Sequence, residues 1–129
     1  SEMCIRDSLA GKALPLVEIV PKDGLFDYAN KYQAGGAQEI CPPVSISEEL
    51  QEKMKRAGEA AFEALRMDVY ARADFIVDES DGEIYCFEVN ALPGMTSASL
   101  YPKAAKAYGL DYGDLCERII EESKKARYQ

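Results

Sequence analysis

The 129-residue chain contains no histidine. That absence excludes a histidine-dependent nucleophilic triad and any histidine-ligated zinc site within these residues. Positive charge is scarce: 15 Lys and Arg stand against 23 Asp and Glu, a net charge of −8. Nucleic acid and anionic membrane surfaces are therefore poor partners. No apolar run approaches the ~18 residues of a membrane span, and no secretory signal is visible. The four cysteines, at 4, 41, 86 and 116, have neither metal nor redox spacing. Reduced thiols in a cytoplasmic protein are the simplest reading. Chemistry is left to carboxylates, Lys, Arg, Tyr, Ser, backbone N–H groups or a metal. Phosphoryl transfer suits that inventory, because its catalysis is mostly positioning and charge neutralisation.

What is present is enough for one domain with a core, since 47% of the residues are apolar. Residues 13–20 form a short branched apolar run, interrupted by Pro15 and ended by Pro21, and predict a strand at a sheet edge. Residues 22–43, with Gly24, Gly35-Gly36 and Pro42-Pro43, predict a long loop that covers substrate. Ser45 or Ser47 then caps a helix, and Ser45 with Glu48 fits a capping box. Leu50, Met54, Ala57, Ala61, Phe62 and Leu65 make its apolar stripe. Further helices are predicted over 99–108, ended by Gly109, and over 112–125 with Leu115, Ile119 and Ile120 inward. The order β–loop–α–β–β–α–α fits an α+β fold, a small, mostly antiparallel sheet with helices packed on it.

Between the helices lies the most informative segment, residues 69–91, two strands joined by a tight turn. Arg72 and Asp74 share one face of the first strand, and Glu88 and Asn90 share one face of the second. The opposite side, Ala71, Ala73, Phe75, Val77 and Tyr85, Phe87, Val89, suits a core. A two-residue Asp81-Gly82 turn would put Asp74 and Glu88 on opposite faces. A three-residue Ser80-Asp81-Gly82 loop, with Gly82 left-handed, pairs Glu79 with Glu83 and so sets Asp74 opposite Glu88 and Arg72 opposite Asn90. Two carboxylates opposed at ~5 Å repel unless a cation lies between them, and two carboxylates with an amide oxygen suit magnesium. A solvated polar face with Arg72 pairing the acids is the plainer alternative. Pro93-Gly94 punctuates the chain just beyond, and Thr96, Ser97 and Ser99 are candidate caps of the next helix, whose N-terminus favours an anion.

Tyr70-Ala-Arg-Ala-Asp74 and Glu88-Val-Asn-Ala-Leu-Pro-Gly-Met-Thr-Ser-Ala-Ser-Leu100 closely resemble the C-terminal part of D-alanine–D-alanine ligases, which are ATP-grasp enzymes. Leu14-Pro-Leu-Val-Glu-Ile-Val-Pro21 and Asp27-Tyr-Ala-Asn-Lys-Tyr32 resemble the same family in the same order. The resemblance implies the C-terminal subdomain of an ATP-grasp fold over 9–129, and ATP-driven ligation of two D-alanines through an acyl phosphate for peptidoglycan. It implies that Asp74, Glu88 and Asn90 hold magnesium (or manganese), as two ions, and that Arg72 and the Gly94 N–H stabilise an oxyanion. Ser99 and Leu100 would bind the second D-alanine, Lys31 would reach the ATP phosphates, and Tyr32 would close the site. Tyr32 also resembles the D-alanine-specific members rather than relatives using D-lactate or D-serine. A homodimer is compatible with the full-length enzyme.

Two departures accompany the resemblance. The family is well over twice this length, so the chain is expected to be a fragment, from a truncated reading frame, with little activity by itself. Residues 3–8 resemble translated sequencing-adaptor sequence, so 1–8 are expected to be non-native or disordered. Rival readings are another ATP-grasp carboxylate–amine ligase sharing the acid pair, and a non-enzymatic metal-binding remnant.

Overall fold

The structure, a computed structural model, describes residues 2–21, 37–78 and 80–128. Among them, six strands and three helices run in the order β1 (Glu2–Leu9), β2 (Lys12–Ala13), β3 (Val17–Pro21), β4 (Ala37–Ile40), α1 (Glu48–Ala64), β5 (Tyr70–Asp78), β6 (Glu83–Asn90), α2 (Leu100–Tyr108) and α3 (Tyr112–Tyr128). The sheet order is β4-β3-β1-β5-β6, with β2 beside β1. Every pairing among the described residues is antiparallel, and the α+β expectation is met.

Strand alternation divides the apolar residues between two cores. Cys4, Ala73, Phe75 and Val77 face α1, where they meet Met54. Met3, Ile5, Val17 and Ile19 face the other way, against Tyr101, Ala104 and Ala105 of α2 and Leu115 of α3. The sheet is thus buried on both sides at its centre, and the polar pairs of β5 and β6 lie on the α2 side.

Local signals account for most helix boundaries. Ser47 caps α1, its hydroxyl accepting the Leu50 N–H at 3.2 Å. The Ser45–Glu48 box does not form, because the Ser45 hydroxyl donates to buried Glu18 instead. Gly109 ends α2 in the left-handed conformation, φ 109°. In α3 Leu115 is buried, but Ile120 is exposed, so only part of the predicted inward face is used.

Three strand expectations are corrected. Residues 2–9 are not a disordered terminus. They form β1, hydrogen-bonded to β3 on one side and β5 on the other. Backbone pairing is indifferent to side chains, so this strand completes the sheet although it carries Arg6, Asp7 and Ser8 into buried positions. The strand predicted over 13–20 lies inside the sheet, between β1 and β4, and not at its edge. Residues 37–40, expected within the long loop, form strand β4 against β3.

Candidate active site

The hairpin brings the four expected residues together. Arg72 pairs with Asn90 and Asp74 with Glu88 in the β5–β6 register. The expected turn is not the reason. Glu79 lies outside the described residues; Asp78 pairs with Glu83, which by itself would set Asp74 and Glu88 on opposite faces. A β-bulge intervenes: Phe75 pairs with Cys86 and Asp74 with Glu88, so Phe87 has no partner on β5. The extra residue shifts the alternation by one and restores the polar face. Gly82 is left-handed as expected, φ 71°, and its N–H closes the turn on the Asp78 carbonyl at 2.8 Å.

The same bulge corrects the predicted core face. Tyr85 and Phe87 are exposed, while Ile84, opposite Val77, packs against the α1-side core. Cys86 is exposed and lies opposite Phe75.

Asp74 is fully buried, and the Arg72 guanidinium donates from Nε to its Oδ1 at 3.0 Å. Glu88 is exposed beside it, and Asn90 is half-buried. The Asn90 side-chain oxygen accepts the Leu92 N–H at 2.9 Å, and an amide oxygen has a second lone pair to offer. Among the described residues no three His, Cys, Asp or Glu side chains converge. Asp74, Glu88 and Asn90 between them offer two carboxylates and one amide oxygen, hard donors of the kind that suit magnesium or manganese.

One site neighbour escaped the sequence reading. Asp7 of β1 is the register partner of Arg72 on the side away from Asn90. It is fully buried, and neither carboxylate oxygen has a hydrogen-bond partner among the described residues. Burial pushes its pKa up to about 8; Arg72 pulls it down and Asp74 adds to the rise. No pattern in residues 1–8 announced this, because their placement depends on strands far along the chain.

Beyond β6 the chain forms a tight loop. Ser99 caps α2, yet its hydroxyl makes no bond to that helix. It accepts the Thr96 N–H at 3.0 Å and is hydrogen-bonded to the Thr96 hydroxyl at 2.7 Å. Gly94 packs so closely that a Cβ there would lie 3.0 Å from Ser99 Oγ. Leu100 begins α2, half-buried against the core. Lys31 and Tyr32 lie outside the described residues.

The family described as D-ala D-ala ligase C-terminus matches residues 2–121. The chain belongs to that family. D-alanine–D-alanine ligase from Geobacter sulfurreducens is 47% identical over 113 residues, covering 87% of this chain and 35% of that protein. The ligase from Pediococcus pentosaceus is 40% identical over 115 residues, 89% of this chain and 32% of that protein. Among solved structures, D-alanine–D-alanine ligase from Bacillus anthracis complexed with ATP superposes with a TM-score of 0.82 at 39% identity, covering 98% of this chain and 41% of that one. The VanG D-Ala:D-Ser ligase from Enterococcus faecalis gives 0.75 at 28% identity, over 95% and 36%. The chain spans about a third of the length of the curated relatives it matches. It has the sheet and helices of the ATP-grasp ligase C-terminal part.

Proposed function

We propose that this chain is the part of an ATP-dependent D-alanine–D-alanine ligase that holds the metal and the second amino acid. The observation that carries the reading is the polar row on β5 and β6 running directly into loop 91–99. Asp74 opposes Glu88 and Arg72 opposes Asn90 at one end; Gly94 and Ser99 touch at the other.

Asp74, Glu88 and Asn90 would hold magnesium. When bound, the metal neutralises charge on the phosphoryl group being transferred from ATP to a D-alanine carboxylate. Arg72, oriented by Asp74, presents guanidinium N–H groups to the oxyanion that develops when the second amine attacks the acyl phosphate. The Gly94 N–H is the second donor to that oxyanion. Ser99 offers its hydroxyl, and Leu100 its backbone at the start of α2, to the second D-alanine. Lys31 and Tyr32 would complete the site from residues 22–43, with Lys31 on the ATP phosphates. Alanine is preferred as the second substrate on the strength of Tyr32. The likeness to a D-Ala:D-Ser ligase keeps D-serine as the competitor to be tested. The acidic, reduced-thiol composition supports work in the cytoplasm, and among the described residues no helix is long and apolar enough to cross a membrane.

The test is a magnesium titration of the chain, followed by NMR at the Ala73, Val89 and Asn90 amides. Saturable shifts are expected, and an Asp74→Asn/Glu88→Gln variant should abolish them while keeping its dispersed spectrum. Identical titrations of the two proteins would remove the metal role from this face.

A further inference from the structure

We propose that Tyr112 is a positioning residue for loop 91–99, setting the Ser99 hydroxyl and the Gly94 N–H for the second amino acid. The Tyr112 phenol donates to the Met95 carbonyl at 2.5 Å. On the other side of the same peptide group, the Thr96 N–H donates to Ser99 Oγ at 3.0 Å. The peptide plane between Met95 and Thr96 is thus gripped at both its polar ends, by α3 and by the cap of α2. Ser99 N–H in turn donates to the Thr96 carbonyl at 2.9 Å, so the position of Ser99 follows from that of the gripped peptide.

The grip comes from a rigid element. Asp111 caps α3, accepting the Asp114 N–H on its side chain at 2.8 Å and the Leu115 N–H on its carbonyl at 2.9 Å. Leu115 is fully buried in the core shared with Tyr101, Ala104 and Ala105. Tyr112 is the first residue of that anchored helix, and its ring is half exposed, so the hydroxyl contributes a tie more than it contributes packing. Met95 itself rests on the same core. Functional groups on loops reach productive geometry only when such outer contacts lock them. The role rests on the function proposed above for Ser99 and Gly94, whereas the tie itself does not.

Tyr112→Phe removes the hydroxyl and keeps the ring. In the 129-residue chain, amide hydrogen exchange at Thr96 and Ser99 should accelerate by about three- to tenfold, the range of one net hydrogen bond, with the Ala73 and Val77 amides unchanged. In the intact ligase containing this chain, KM for the second D-alanine should rise by a similar factor, with KM for ATP unchanged. Unaltered exchange at Thr96 overturns the tie, whatever the reaction. Faster exchange with an unchanged second-substrate KM overturns the positioning role. An intact, unsubstituted protein that ligates no D-alanine while Thr96 exchange still responds removes the proposed function, and with it the positioning role, but leaves the tie standing.

Discussion

Burial takes the Asp7 carboxylate wholly out of water and gives neither oxygen a hydrogen bond among the described residues. Its pKa rises from an ordinary 3.8 to about 8. The unfolded chain releases this proton near pH 4 and the folded chain only near pH 8, so in between the folded state binds more protons. Stability therefore falls as pH rises across that window, is unpenalised below it, and bears the full cost above it. At pH 7 the cost is on the order of 4 kcal/mol. Asp7→Val, which suits a central strand, should recover an amount of that order and flatten the dependence. Urea unfolding at pH 5 and pH 8 checks it: the parent chain should be less stable at pH 8, the variant nearly equal at both. Arg6, one residue earlier, escapes the worst of the same penalty by donating to the Leu14 and Gln51 carbonyls at 2.6 and 2.7 Å. Of the site residues, Asp74, Glu88, Arg72 and Asn90 were legible as a polar set. Asp7 and Tyr112 were not, because one acts across a strand pairing 65 positions long and the other across a helix–loop contact 17 positions long.

At the scale of elements, the β-bulge at Phe87 reconciles the turn register with a shared polar face for Arg72, Asp74, Glu88 and Asn90. Deleting Phe87 should remove the bulge yet keep Asp74 opposite Glu88 and Arg72 opposite Asn90, because Glu88 then follows Cys86 directly in the turn register. Any magnesium response of the parent chain should then persist, with strand content by circular dichroism unchanged; a lost response would show that the bulge geometry itself is required. Helix α1 has a similar single-residue dependence. A Cβ on Gly58 would stand 2.8 Å from Cγ of Arg6, in the middle of a side chain whose guanidinium is already tied to two carbonyls. Alanine is the better helix former by ~1 kcal/mol, but overpacking costs ~1–3 kcal/mol. Gly58→Ala is expected to lower the thermal midpoint despite its propensity gain. Periodicity predicted the helices well because 3.6-residue spacing is local. It missed β1 as a strand because β1 is held by pairing with β3 and β5, and it missed Gly58 as a contact because that contact is with Arg6 of β1.

For the whole molecule, the sheet is closed on both faces at its centre but only partly covered over β6. Ile76, Tyr85, Phe87 and Leu92 are left exposed. The chain spans about a third of the relatives it matches. Supplied with ATP, magnesium and D-alanine, the 129 residues are expected to release ADP no faster than a protein-free control in a coupled assay. Steady turnover would show that these residues suffice.

The sequence by itself determined the three helices, the α+β class, the β5–β6 hairpin with its polar quartet and the left-handed Gly82, because each follows from side-chain period or single-residue backbone preference. By lacking histidine, it also left any chemistry of these residues to carboxylates, Lys, Arg, Tyr, Ser, backbone donors or a metal. Tertiary structure alone decided which face the quartet occupies, through one unpaired residue in β6. It also placed residues 2–9 at the centre of the sheet, brought Asp7 beside Arg72, and tied Tyr112 to the loop. The reason is physical: alternation and helical spacing are written locally, whereas register, bulges and strand order are settled by hydrogen bonds between residues far apart in the chain.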